Sequence, residues 1–396
     1  MCIQQNFSCR SVIFDETGLI ASAGGNMLIK QSSIIFTAQS TYDLMDYFGN
    51  FGVVSTYGGQ STNMLNILII IKVQVSKAIN GGFGFFGGNL VSTSVIKNSQ
   101  FKNFNITTSN QVGIICGYQY LGTNTIINTT VYTCNISAGS AGGFIANAWN
   151  YTNYIQNSTI QNINITGIGQ YDEYKQMGVM IGYMVSDSYL NSYIENSSII
   201  NNNINGISVT SGFFGQIDSF SMSPQQQNIS FIDILIVNNN ISGNMFTSGL
   251  VASFSVVCDQ QILLLQNLTI QGCNIQCITG SCGGLIGTFS NEQTQGSILT
   301  AKNITMKNLI ISGPSYIGGF LAISKKCVQQ TTLQIYNSTV TSIVLSGQNC
   351  GMVTGFLNGT STFDIQTSKT TGNNFVNSTQ IQNCASITSG ISQSGC

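Results

Sequence analysis

Gly84-Phe85-Phe86-Gly87, followed shortly by Asn98-Ser99-Gln100-Phe101-Lys102-Asn103-Phe104-Asn105-Ile106, states a pair of phrases that returns along the whole chain. The first phrase is a glycine, two apolar residues and a small one. It begins at Gly18, Gly52, Gly84, Gly113, Gly143, Gly178, Gly212, Gly249, Gly284, Gly319 and Gly351, with 29 to 37 residues between successive copies. The second is Asn, two residues, an apolar residue, three residues, then Asn-Ile. It recurs from Asn128, Asn157, Asn196 and Asn267; Asp233 takes the first place once, and the copies from Asn303 and Asn337 keep the apolar positions without the second Asn. A period of this length running nearly end to end marks a solenoid, whose units bury their apolar faces only against their neighbours.

The internal spacing of the second phrase is fixed while the segments around it vary, as expected of strands joined by surface loops. Apolar residues do not recur at helical spacing, and β-branched residues, Asn and Gly dominate, so helix is disfavoured. The reading is an all-β, single-stranded parallel β-helix (β-solenoid) of about eleven coils, forming a rod about 50 Å long at roughly 4.8 Å per coil. Residues 1–17 read as an N-terminal cap or truncated end, 18–360 as the repeat domain, and 361–396 as an irregular C-terminal coil or cap. Stacking places Ile106, Ile136, Ile165, Ile204, Ile241 and Ile275 in one inward column, and recurring Asn in amide ladders. The anchor glycines are expected at corners, where φ is positive or two backbones come close.

The anchor phrase resembles the GLUG repeat, named for Gly-Leu-any-Gly, of bacterial cell-surface and secreted proteins. Its last place is Gly in some copies and Ala21, Ala146, Ala252, Ala322, Cys116, Ser55 or Thr354 in others. The resemblance implies a β-solenoid stalk exposed at a surface for adhesion or presentation, with no catalytic residues to carry over.

Composition narrows the function further. Only 6% of residues are charged and the net charge is −1, so the chain lacks the cationic face that nucleic acid requires. The run Ile67-Leu68-Ile69-Ile70-Ile71 stops at Lys72, well short of the roughly 20 residues that span a bilayer. The start, Met1-Cys2-Ile3-Gln4-Gln5-Asn6, has neither the basic nor the apolar stretch of a signal peptide. This reads either as a cytosolic chain or as part of a longer or processed protein. The twelve cysteines favour the second reading: with no His and no Cys-x-x-Cys pair, they fit disulfides in an oxidising compartment better than zinc. The expected local pairs are Cys2 with Cys9, Cys116 with Cys134, and two bridges among Cys258, Cys273, Cys277 and Cys282. Cys327, Cys350, Cys384 and Cys396 complete the set.

Fifteen Asn-x-Ser/Thr sequons occur, at Asn6, Asn105, Asn128, Asn135, Asn150, Asn157, Asn164, Asn196, Asn228, Asn240, Asn267, Asn303, Asn337, Asn358 and Asn377. They are glycosylation candidates in a secreted eukaryotic chain; alternatively, Asn and Thr stand there as ladder and turn formers. Asn105, Asn135 and Asn164 share one repeat position and therefore one fate. Asp187, Asp218, Asp259 and Glu292 follow successive anchors and form a weak constellation for calcium or for acid–base glycoside hydrolysis, against a bland reading as solvated loop residues. Tyr118, Tyr120, Tyr151, Tyr154, Tyr183, Tyr189 and Tyr193 cluster in three adjacent coils, where they contact a glycan or protein or are simply half-buried; the lone Trp149 reads as packing. No His-based catalytic arrangement, nucleotide loop, metal site or cofactor is expected.

The sequence reading is thus a non-enzymatic extracellular or cell-surface glycoprotein, a rigid rod for adhesion, coat or filament structure. Its partners are protein or glycan surface ligands, with self-association as a further option and no transmembrane segment. The alternatives are a β-helix carbohydrate-active enzyme (polysaccharide lyase or hydrolase), and an ice-binding solenoid, against which the variable loops argue by spoiling flatness.

Overall fold

A computed structural model describes strands from Cys2–Ile3 to Ser392–Ser394. Side-chain surroundings are described within residues 94–356, apart from 108–110, 121, 150–151, 170–174, 187–190, 219–227, 256–261, 291–297 and 324–331. One turn shows the plan. It carries five strands: Val209–Ser211, Phe214–Ser219, Gln227–Ile232, Leu235–Val237 and Asn240–Gly243. Each pairs in parallel with its equivalent one turn on, as in Thr210 with Thr247, Phe214 with Val251, Ile229 with Leu263, Ile236 with Ile270 and Ile241 with Ile275. The two longer strands stack into a nineteen-stranded sheet and the other three into a twenty-eight-stranded one. The fold is an all-β parallel β-solenoid, and no described residue is helical. The described portion comprises about six full turns, where the anchors count eleven.

Strand alternation fills the bore. In Asn203–Asn205 the two Asn are exposed and Ile204 is buried, and this pattern repeats turn after turn. Ile106, Ile136, Ile165, Ile204, Ile241 and Ile275 do stack in register, and none exceeds 2% exposure. Phe213, Phe214 and Phe231 pack edge-on or tilted beside them, and Phe254 lies flat on Phe289 at 5.3 Å. These rings supply quadrupole-ordered contacts as well as buried area.

The corners differ from expectation. Among the described residues, positive φ falls, apart from Gly122 and Gly169, in two rows that are almost wholly non-glycine. Asn98, Asn128, Asn157, Asn196, Asp233, Asn267, Asn303 and Asn337 have φ of 45 to 56°; Asn103, Thr133, Asn162, Asn201, Asn238, Gly272, Asn308 and Ser342 have φ of 52 to 64°. Asn is the residue that enters this region most readily after Gly. The anchor glycines answer to close approach instead: a Cβ on Gly113 would stand 1.9 Å from the carbonyl oxygen of Cys116, and one on Gly284 2.0 Å from that of Gly319. Their column also needs correcting. The pairing runs Gly113, Gly142, Gly178, Ser211, Ser248, Gly283, Gly318, Gly351. Gly143, Gly212, Gly249, Gly284 and Gly319 therefore sit one residue past it. The double glycines at 142–143, 283–284 and 318–319 hide the register, because only the second member satisfies the phrase while the first stands in the column.

Length variation falls mainly in one part of the turn. From Asn98 to Ile106, and in every equivalent copy, the chain keeps one length. From Ile145 to Asn157 it takes 12 residues, but from Phe214 to Asp233 it takes 19. Most insertions thus lie between the two longer strands; one more follows the ladder strand, since Ile165 to Gly178 takes 13 residues where Ile136 to Gly142 takes 6, and the outer face of the Leu235–Val237 and Asn240–Gly243 strands is uninterrupted.

Candidate functional site

That face carries ladders of short polar side chains. Asn164 donates to the Oδ1 of Asn135 at 2.8 Å, Asn240 to Asn203 at 2.9 Å and Asn274 to Asn240 at 3.0 Å, all exposed. Along the first left-handed corner, Asn128 donates to Asn98, Asn267 to Asp233 and Asn303 to Asn267, at 2.8 to 3.0 Å. Amide ladders therefore run along both rows, at the strand spacing of about 4.8 Å. At Asn274 the first one stops, because Ile310 and Val344 take the next places.

Most sequons belong to these two rows. Asn128, Asn157, Asn196, Asn267, Asn303 and Asn337 occupy the corner; Asn105, Asn135, Asn164 and Asn240 occupy the ladder strand, and all ten are exposed. In each, the middle residue points inward and the hydroxyl residue outward beside the Asn. Asn105, Asn135 and Asn164 accordingly share one outward orientation. Asn228 is half-buried; Asn6, Asn150, Asn358 and Asn377 lie outside the described side chains.

Asp218 is the one acidic candidate whose side chain is described. Ile217 turns into the core, so Gln216 and Asp218 turn the other way. The Asp218 Oδ2 accepts from the Tyr183 hydroxyl at 2.9 Å and from the Gln216 amide at 2.6 Å, and Gln216 in turn accepts from Gln176 at 3.1 Å. Its Oδ1 is buried without a hydrogen-bond partner among the described residues. Burial raises the carboxyl from 3.8 to about 6, against the pull of the two donors. Asp187, Asp259 and Glu292 lie outside the described residues. Glu195 and Asp233 stand elsewhere, accepting from Gln156 and Asn267. Among the described residues no three His, Cys, Asp or Glu gather as metal ligands.

The aromatics meet on the nineteen-stranded sheet. Tyr154 and Tyr193 pair across adjacent turns and stack at 5.3 Å and 7°, each 40% exposed. Tyr118, Asn147 and Tyr183 share one row, while Tyr120 pairs with Trp149. Tyr151 and Tyr189 fall outside the described side chains. A polar file that sequence reading missed runs through the bore nearby: Gln119 and Asn124 bond each other, Asn124 donates to Asn153 at 2.8 Å, and Asn153 reaches Ser192 at 3.4 Å. The place shared by Asn124, Asn153 and Ser192, four residues before Asn128, Asn157 and Asn196, was its only sequence signal.

Cys277 and Cys282 form a disulfide across a corner, with Cα atoms 5.8 Å apart. Cys116 and Cys134 remain thiols, each donating to a backbone carbonyl on its own strand at 3.0 and 3.2 Å, so the pair expected between them is not formed. They lie on different strands whose side chains enter the bore separately. Burial pushes the Cys134 thiol up to about 12 and also raises that of Cys273. Neither has the thiolate character that reactive cysteines need. Cys350 is a half-buried thiol. Cys2, Cys9, Cys258, Cys327, Cys384 and Cys396 lie outside the described side chains.

Among known proteins, no family model, curated sequence or solved structure matches this chain. No described helix is long and apolar enough to cross a membrane.

Proposed function

We propose that this chain is a non-enzymatic, rigid repeat rod of an extracellular or cell-surface glycoprotein, related to GLUG-type stalks and used for adhesion, coat or filament structure. One observation carries the reading. The Asn-to-Ile phrase holds its length and register from Asn98 to Leu345, so its outer face is a continuous sheet of mostly uncharged side chains that carries stretches of Asn ladder. A surface of that kind presents a repeated pattern and offers no clustered acid, base or nucleophile. The contact residues for a glycan or protein are the exposed tyrosines, Tyr120, Tyr154 and Tyr193. A glycan array and a turnover assay on one preparation test this: binding without turnover supports the rod. Polysaccharide cleavage abolished by Asp218→Asn would replace it with an enzyme.

The placement of insertions favours a second reading, the ice-binding solenoid. Loop variation lies off the ladder face, where Thr130, Thr159, Ser198, Thr269, Thr305 and Thr339 form one row broken only by Leu235. Thermal hysteresis of the purified protein decides it: a gap between melting and freezing points supports ice binding, and its absence removes this reading.

A further inference from the structure

Resting on the glycoprotein reading, we infer that Asn157 and Asn196, adjacent members of the left-handed corner row, are N-glycan acceptors that exclude one another, so a folded molecule carries an oligosaccharide on only one. Each lies at positive φ, 49° and 45°. Each is exposed, is followed by a buried serine, Ser158 or Ser197, and then by an outward hydroxyl, Thr159 or Ser198. The acceptor amide and its hydroxyl thus share one side of the corner and face solvent, as N-glycosylation of a surface segment requires.

Their amides also differ from those of the rest of the row. Asn128, Asn267 and Asn303 spend an amide hydrogen on the preceding turn. The side chains of Asn157 and Asn196 make no hydrogen bond among the described residues. Beyond Asn196 the row passes to Asp233, which accepts no glycan, so crowding on this pair comes from within it and from Asn128. In the transfer, the amide nitrogen bonds to the anomeric carbon of a lipid-pyrophosphate-linked oligosaccharide, loses a proton, and lipid pyrophosphate leaves with the bonding pair.

Exclusion follows from the rung spacing. Thr159 pairs with Ser198 in register, and their hydroxyls bond at 2.9 Å, so the two sequons are one strand spacing apart, about 4.8 Å. A branched N-linked oligosaccharide is broader than that. Transfer acts on the unstacked chain, so a chain modified at both positions fails to close these two turns and is lost from the folded fraction.

The test keeps both corner Asn residues and removes one sequon at a time through its hydroxyl. The full chain is secreted from a glycosylating eukaryotic cell as wild type, as Thr159→Ala and as Ser198→Ala. The protease-resistant fraction is deglycosylated in heavy-oxygen water, and occupancy is read by peptide mass spectrometry. Wild-type occupancies at Asn157 and Asn196 should sum to no more than one glycan per molecule. By negative coupling, Thr159→Ala should raise Asn196 occupancy up to about twofold, and Ser198→Ala should do the same for Asn157. A wild-type sum above one overturns the proposal, as does failure of either remaining site to accept glycan in its variant. Absence of glycan from the protein isolated from its own source would refute the glycoprotein reading separately, because forced secretion tests only the geometry.

Discussion

Asp218 holds a carboxyl where ionisation is costly, and the consequence is measurable. Its folded value, about 6, lies above the unfolded 3.8, so the native state binds the proton more tightly. Its contribution is therefore fully present below pH 3.8 and is lost as pH rises to about 6, a change on the order of 2–3 kcal/mol. Asp218→Asn should abolish this fall and leave the variant more stable than wild type at pH 7. Urea unfolding at a series of pH values checks it; equal pH profiles in the two proteins would refute the assignment. The left-handed corners give a second test. Asn201, at φ 54°, occupies the row in which Gly272 stands at 64°. Asn201→Ala should cost about 1–2 kcal/mol, and Asn201→Gly clearly less. This role was hidden in the sequence because Asn serves two purposes. Ladder Asn and corner Asn recur at the same period, and only backbone angles separate them.

Among elements, the three-residue strand Asn203–Asn205 shows what the sequence made legible. Alternation at a fixed period identified its inward side chain, and Ile204 is fully buried. Ile204→Ala should cost roughly 2–5 kcal/mol, since rigid neighbouring rungs limit collapse of the cavity; a loss below about 1 kcal/mol in chemical denaturation would contradict this packing. Loop positions were equally legible as elastic segments. A two-residue Gly-Ser insertion between Phe214–Ser219 and Gln227–Ile232 should leave the melting temperature nearly unchanged, while the same insertion at Asn201 should unfold the turn. Less could be read at Asp218 and at the cysteines. The contacts of Tyr183 and Gln216 with Asp218 depend on which residue of a strand faces out, and Gly212, one residue past Ser211 in the column, had shifted that register by one. Cysteine pairing depends on distances between turns, which spacing alone does not supply. The bridge that did form, Cys277 to Cys282, spans a corner so short that its reduction should cost only about 2 kcal/mol.

For the whole molecule, stability is a sum over turns and the interfaces between them. Denaturation should accordingly broaden, with the central turns around Asn196–Gly243 more protected from amide hydrogen exchange than the turns that begin at Asn98 or end at Leu345; a single sharp transition with uniform protection would argue for one indivisible core. The row that runs Asn98, Asn128, Asn157, Asn196, Asp233, Asn267, Asn303, Asn337 has a meaning for folding beyond its ladder. Near-identical turns are interchangeable, and a strand that docks one turn too early satisfies almost every backbone bond it would have made in the right place. What distinguishes the correct mate is each departure from the repeat: a lone Asp among Asn, a tyrosine that reaches one particular carboxylate, a Phe that lies flat on only one other Phe. The irregularities of this solenoid are its addresses, and a version of the chain smoothed to perfect repetition would gain regularity while losing the information that tells each turn where it belongs.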